Sequence, residues 1–478
     1  MITFGEWLPD QTVFGVPISV AENVLPSARG YRAINGLATL SGAADDRLRK
    51  VFAAKDNTGS THLFAGDGTK LYKFNNTTSA LDNVSKTGNY TLGLFDNWQV
   101  AQFGRKLIVA GDTGETLQFW ELGSSSNFAD ISGSPSAKYV AVVRDFVVTG
   151  FVTNPYRVQW SAIGDETSWT VGTNQADFQD IADQGAVTGL VGGEFGVALM
   201  EKGITRFSYI GDPLIFQFDS VETARGMPFE GGYSAIGPSQ IYYLSDDGFY
   251  LFNGQSSVPI GSEKVNKWFY ENLNVAFAER INCSIDQVNQ IVAWGFPSQD
   301  SGDGTPDTIL FYNYAVNRWS TAKVTHDVLG TFFTAASTLE ALDNISSSID
   351  ALDTTLDSRL FKGGTFTFGG GKDKKIASFT APQLTATLTT GETKLVEGRL
   401  SNVTKIVPYF TNGTISAEIG TRNSQADDVS FTAASSLNDD GFMPTRAAGR
   451  YHRLRFSLTG AWKELIGYDI DVKPMGLR

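Results

Sequence analysis

HLFAGDGTKLYKF, residues 62–74, consists of two short apolar runs around the pair Asp67-Gly68. An Asp-Gly pair supplies the positive-φ residues of a tight turn, and its flanks have strand-like composition, so the stretch reads as a hairpin. The same plan returns five more times. KLIVAGDTGETLQFW begins at Lys106, DFVVTGFVTNPYRVQW at Asp145, VALMEKGITRFSYIG at Val197, IYYLSDDGFYLFNG at Ile241 and IVAWGFPSQDSGDGTPDTILFYNYAVNRWS at Ile291. Successive starts lie about 40 to 50 residues apart, the spacing of propeller blades. The units are too dissimilar for WD40 or kelch repeats. The expectation is an all-β chain with a divergent β-propeller of about six blades over residues 46–337.

Composition agrees with that class. In 478 residues, aromatics make up 12%, charged residues only 19%, and there are 50 glycines. Such a mixture suits many strands and turns and few long amphipathic helices. The single Cys283, inside RINCSIDQVNQIVAW, excludes an internal disulfide and reads as a buried, inert thiol. With 51 acidic against 38 basic residues the formal charge is −13, which argues against gripping nucleic acid, since that grip comes from many Lys and Arg contacts. MITFGEWLPDQTVFG lacks the basic and apolar regions of a signal peptide, and no apolar run approaches the ~18 residues of a membrane span. A soluble protein without membrane insertion is expected.

Three segments flank the repeats. Residues 1–45 read as an extended N-terminal arm, broken by Pro9, Pro17 and Pro26 and carrying the aromatic anchors Trp7, Phe14 and Tyr31. Between 338 and 374, Leu339, Leu342, Ile345, Ile349, Leu352 and Leu356 recur at three- and four-residue steps, which predicts short amphipathic helices, and FKGGTFTFGGGKDKK follows as a Gly/Lys-rich hinge. Residues 375–478 hold alternating runs at the rhythm of a β-sandwich-like domain. Within them RYHRLRFSL sets Arg450, His452 and Phe456 opposite Tyr451, Arg453 and Arg455, and neither parity is purely apolar. That pattern predicts an edge strand or a contact surface.

One stretch stands out for the chemistry it could carry. WSAIGDETSWTVGTNQADFQDI, residues 160–181, holds Asp165, Glu166, Asp177 and Asp180, and its first ten residues superficially resemble a sialidase Asp-box. A propeller glycosidase needs paired carboxylates, and a sialidase also needs an arginine cluster, for which Arg144, Arg157, Arg206 and Arg225 are the candidates. The competing reading is a long polar loop pinned to its blade by Trp160 and Trp169. His62, His326 and His452 do not stand at metal-ligand spacing, and no G-x-S-x-G, Walker A or Rossmann fingerprint occurs. The expectation is no catalytic residue, no metal and no cofactor.

Several blocks together carry a resemblance. FDNWQVAQFGRKLIVA (95–110), RVQWSAIGDETSW (157–169), ADFQDIADQGAVTGLVGGEFGVALMEKGITRFSYIG (176–211), LSDDGFYLFNGQSSVPIGSEKVNKWF (244–269) and NYAVNRWS (313–320) resemble tail proteins of short-tailed bacteriophages. So do ENVLPSARGY (22–31) and the ending GRYHRLRFSLTGAWKELIGYDIDVKPMGLR (449–478). The family goes by tail nozzle, tail hub, tail tubular protein B-like or packaged-DNA stabilisation protein. The similarity covers nearly the whole chain and is weak over 339–375.

The resemblance implies a structural virion protein of the short tail, without enzymatic activity. It implies a homohexameric ring below the adaptor protein, contacts with other tail components, and transient passage of double-stranded DNA through a central channel. On that footing Trp7, Phe14 and Tyr31 are candidates for docking the arm on a neighbour or the adaptor, and the loop bearing Trp160 and Trp169 for contact between subunits. Six copies would carry 6 × −13 = −78, a charge suited to passing DNA without holding it. The alternative expectation is a host-surface glycan-binding propeller or a propeller glycosidase.

Overall fold

The computed structural model describes residues 1–333, 348 and 366–476. The amphipathic helices expected from Leu339 to Leu356 therefore lie outside the described residues. Among those described, seven four-stranded antiparallel blades form a β-propeller. Their inner strands are Lys50–Lys55, Gln99–Phe103, Tyr139–Val143, Val187–Val191, Tyr233–Ala235, Asn282–Asp286 and Val328–Phe333. The six hairpins read from the sequence are the second and third strands of blades 1 to 6. Phe64 faces Lys73 in the first, and Trp294 faces Leu310 in the sixth.

Burial explains why these runs look as they do. The second strands Phe146–Gly150, Gly196–Met200, Ile241–Ser245 and Ile291–Phe296 are buried at every position. A strand packed on both faces has no solvent side, so it reads as a continuous apolar run. Each junction between neighbouring blades holds its own apolar cluster. Phe64, Trp98 and Trp120 fill the first junction, Val148, Leu190 and Phe207 the third, and Ile309 and Leu329 the sixth. The ring closes where Val51 of blade 1 meets Phe332 and Ile376 of blade 7.

Blade 7 is the one beyond the six that the repeats announce. Its second strand, Phe366–Lys372, comes from the segment expected to be a hinge, and its third, Lys375–Ser378, from the start of the segment expected to be the sandwich. Asp373 and Lys374 make the turn between them, both at positive φ (52° and 65°). Gly369 and Gly370 are required by close approach: an added Cβ would lie 2.2 Å from the Ala377 carbonyl and 1.9 Å from that of Val328. The outer strand, Ala38–Thr39, is supplied from the other end of the sequence and pairs with Ala377 and Ser378. Chain closure, not a contiguous repeat, completes the seventh blade.

The N-terminal segment is not a free arm. Ile2–Thr3 and Tyr31–Ala33 pair with Glu464–Pro474, and Tyr31–Ala33 also pairs with Val24–Pro26. Ser401–Thr411 and Met443–Gly449 complete that sheet. A second layer contains Ile18–Glu22, Ala386–Thr390, Tyr451–Thr459 and Thr414–Arg422. Leu388, Ile406, Phe456 and Leu465 meet between the layers, with Phe4, Trp7, Ile18 and Val24 from the first residues in the same core. The result is a β-sandwich built from both ends of the chain, and its C-terminal contribution starts at Ala386 instead of 375.

Tyr451–Thr459 is also not an edge. It lies between Ala386–Thr390 and Thr414–Arg422, with His452, Leu454, Phe456 and Leu458 buried. The buried histidine disguised an ordinary alternating strand. The second layer joins blade 6 edge to edge through a parallel contact of Glu22 with Thr321. The Asn23 N–H donates to the Thr321 carbonyl at 2.7 Å, and Ser320 Oγ to the Val24 carbonyl at 2.6 Å.

Candidate functional site

The loop from Trp160 to Ile181 connects the third strand of blade 3, Arg157–Trp160, to its outer strand, Asp177–Asp180. It lies on the face where the inner strands end, because the Gly164 N–H donates to the carbonyl of Asp145, in the turn after the inner strand. Asp165 accepts from the Thr167 hydroxyl at 2.6 Å and from its N–H at 2.9 Å, and these bonds hold its carboxyl below the ordinary range. The buried Glu166 takes the Lys106 ammonium of blade 2. Asp180 accepts two bonds from Arg157, at 2.7 and 2.9 Å, which lower its pKa, while that guanidinium lies 3.7 Å over the Phe178 ring. Asp177 accepts from the Phe178 N–H at 2.9 Å. A general acid needs a carboxyl raised towards neutrality, and neither Asp165 nor Asp180 is one.

The tryptophans act as pins. Trp160 Nε1 donates to the Gln175 carbonyl at 2.8 Å and Trp169 Nε1 to that of Glu166 at 2.7 Å. Both rings are buried within their own chain, as are Trp7 and Tyr31. Trp7 Nε1 reaches the Ser19 carbonyl at 3.1 Å and packs edge-on against Trp268, and the Tyr31 hydroxyl donates to Gly5 at 3.0 Å. Of the five interface candidates only Phe14, 43% exposed, offers its ring to solvent, beside Tyr451 and Arg422.

The four arginines do not converge. Arg157 serves Asp180, Arg225 serves Asp247 and lies over Tyr250, Arg206 lies over Phe195, and Arg144 lies over Tyr209 near Glu194. Sequence reasoning passed over the surface apolar residues beside them. Ile163 and Val171 in the blade 3 loop, and Ile210 and Leu214 in the matching turn of blade 4, are all exposed. The two loops touch where the Tyr209 hydroxyl donates to Gln175 Oε1 at 3.2 Å. Their polar surroundings hid them.

The channel is the second candidate. All seven blades, through residues that include Lys50, Gln99, Val140, Leu190, Tyr233, Cys283 and Leu329, line a cavity of about 560 Å³ on the propeller axis. Charges gather at the mouth where the inner strands begin. The buried Arg49 donates to the carbonyls of Gly93 and of Asp96 (2.9 Å), and Lys138 bridges Asp96 at 2.8 Å and Glu230 at 3.4 Å. Lys50 has no acidic partner among the described residues, and burial draws its pKa down. Burial pushes the Cys283 thiol well up, so it stays protonated and a poor nucleophile. Among the described residues no three His, Cys, Asp or Glu side chains lie close enough to share a metal ion.

No known family profile and no curated protein sequence matches the chain. Among solved structures it is similar to YCF48 from Cyanidioschyzon merolae, at 11% identity and a TM-score of 0.38, over 72% of this chain and 98% of that one. It is similar to the Neurospora crassa Pan2 WD40 domain at 7% identity and a TM-score of 0.39, over 73% and 96% of the two chains. The periplasmic gluconolactonase PpgL of Pseudomonas aeruginosa follows at 12% identity and a TM-score of 0.36, over 62% and 96%. The propeller rests on the seven closed blades and their seven apolar junctions, not on likenesses this shallow.

Proposed function

We propose that the chain is a structural subunit of a short bacteriophage tail, a nozzle protein whose copies ring the path of the exiting DNA. The observation that carries this reading is the ordered series of sequence blocks resembling that family. Two of these blocks, far apart in the chain, adjoin in space: Tyr31, closing ENVLPSARGY, pairs with Leu465 of the terminal block. Physical scale adds a constraint. A duplex with grooves about 8 Å deep on either side does not fit an axial cavity of about 560 Å³. DNA would therefore pass between subunits, with each propeller a wall element.

The exposed residues Ile163, Val171, Ile210 and Leu214 offer apolar surface of the kind that subunit contacts use. The acids of the same loop are taken by Thr167, Lys106 and Arg157, which suits a scaffold better than a hydrolase. The test is electron microscopy and mass measurement of the protein alone and with its adaptor ring. Six-fold particles with a mass increment of 6 × 51.8 = 310.8 kDa are expected. Particles that stay monomeric in both conditions refute the reading.

A further inference from the structure

The axial cavity differs from one side to the other. Lys50, Gln99, Ser234 and Thr331 line it from blades 1, 2, 5 and 7. None of these four side chains makes a hydrogen bond within the described residues. None is sealed either: all four residues are half-buried, and their polar atoms stay accessible. Blades 5, 6, 7, 1 and 2 follow one another around the closed ring, so the four groups share one arc. The opposite arc, from blades 3 and 4, presents Val140 and Leu190.

The charges of the lining do not balance. Glu230, its acid, is paired with Lys138 at 3.4 Å, and Asp96 at the mouth is bridged by the same ammonium at 2.8 Å. Arg49 donates to the carbonyls of Gly93 and Asp96. That leaves the Lys50 ammonium, three donors and a full charge, open to the cavity with no acceptor. Water can serve an amide and two hydroxyls. It does not cancel a charge held in a narrow channel, where the low dielectric makes an unpaired ion costly and an opposite charge strongly favoured.

We propose that the axial cavity binds a small hydroxylated anion, a sugar acid or a sugar phosphate. Its carboxylate or phosphate accepts from Lys50, its hydroxyls exchange hydrogen bonds with Gln99, Ser234 and Thr331, and its carbon skeleton rests on Val140 and Leu190. Lysine is a point charge that suits either oxyanion, and the charge-assisted bond selects the anion over its neutral parent. The volume of about 560 Å³ lies within the range of small-ligand sites, about 300–1,000 Å³. The inference goes beyond the tail reading and does not depend on it.

The experiment is calorimetric titration of the full chain with gluconate, glucose 6-phosphate and neutral glucose. Saturable binding of at least one anion is expected, tighter than that of glucose by about tenfold or more, the worth of one charge-assisted bond. Gluconate alone marks a carboxylate site, glucose 6-phosphate alone a phosphate site, and binding of both a site for either oxyanion. Lys50→Met, melting like the parent, should bind the anions no better than glucose. Cys283, the single thiol of the chain, lines the same cavity and reports where the probe sits. Its alkylation by iodoacetamide, followed by mass spectrometry, should slow about tenfold with the anion at ~10 times its Kd. Absence of saturable heat at about 10 mM of either anion overturns the proposal. So do equal binding of glucose, unchanged binding by a folded Lys50→Met, and anion binding that leaves Cys283 as reactive as before. Should Lys50→Met fail to fold or Cys283 resist the reagent, the glucose comparison and the remaining readout decide the matter.

Discussion

Deleting residues 1–30 distinguishes a docking arm from a structural one. The deletion removes Phe4, Trp7, Ile18 and Val24, four buried apolar side chains of the sandwich core, and takes the Gly5 carbonyl from the Tyr31 hydroxyl. Burying such a side chain stabilises by about 1.5–3 kcal/mol, so the four together contribute roughly 6–12 kcal/mol, an upper figure because unfolded chains are partly compact. Whole domains are stable by only about 5–15 kcal/mol. The sandwich should therefore not survive, whereas blades 1 to 4 keep their own junctions. Scanning calorimetry and limited proteolysis read this directly. The truncated chain should lose part of its unfolding enthalpy and be cleaved rapidly between 386 and 476. Trp7→Ala alone should cost about 3–5 kcal/mol. If the truncated chain melts with the parent and stays protected there, the N-terminal strands are dispensable decoration and the reasoning fails.

His326 is buried with Nδ1 donating to the Val324 carbonyl at 2.8 Å and Nε2 without a partner among the described residues, and burial holds its pKa at about 4, below the ordinary 6.5. The unfolded chain takes up this proton first, so up to ~3 kcal/mol of stability should be lost between pH 6.5 and 4; urea midpoints should fall more gently with pH in His326→Leu. Gly370→Ala forces a Cβ into the Val328 carbonyl and should cost ~3 kcal/mol or more, against ~1 kcal/mol for Gly104→Ala, which shares the positive φ but has open space around it. These two are compared by denaturant melts. Purified protein should show no turnover of sialosides or bacterial surface polysaccharides, and Asp165→Ala should lower stability by ~1 kcal/mol; turnover abolished by that substitution would show the loop to be catalytic. Anisotropy at about 150 mM salt should give duplex affinity no tighter than ~10⁻⁶ M, because Arg453 and Arg455 are held by Glu392 and Glu418; nanomolar, steeply salt-dependent binding would show that the protein clamps DNA.

What could be read from the sequence was what is local. Asp67-Gly68 marks its turn through the Asp67 carboxylate, which accepts the N–H groups of Thr69 and Lys70 at 2.7 Å each, and not through the expected positive φ, which Gly68 does not adopt. Gly248 does adopt it (138°), and the flanking strands are apolar because both their faces are covered. The seventh blade gives no such signal. Its glycines are dictated by the carbonyls of Val328 and Ala377 on neighbouring strands, and a run of glycine in isolation means only freedom. The arm failed in the same way. Pro9, Pro17 and Pro26 truthfully report an extended chain, yet its partner, Glu464–Pro474, lies at the other end of the sequence. At the candidate site, Trp160 and Trp169 pin their loop, as their place among polar residues suggested, but the pinning buries them and leaves Ile163 and Val171 outside. An aromatic residue in a polar loop has two ways to be useful, holding the loop inward or offering it outward. The side that wins depends on whether a carbonyl stands within reach of the indole N–H. Both of these tryptophans found one, which is why the contact surface of this face has to be sought in its aliphatic residues.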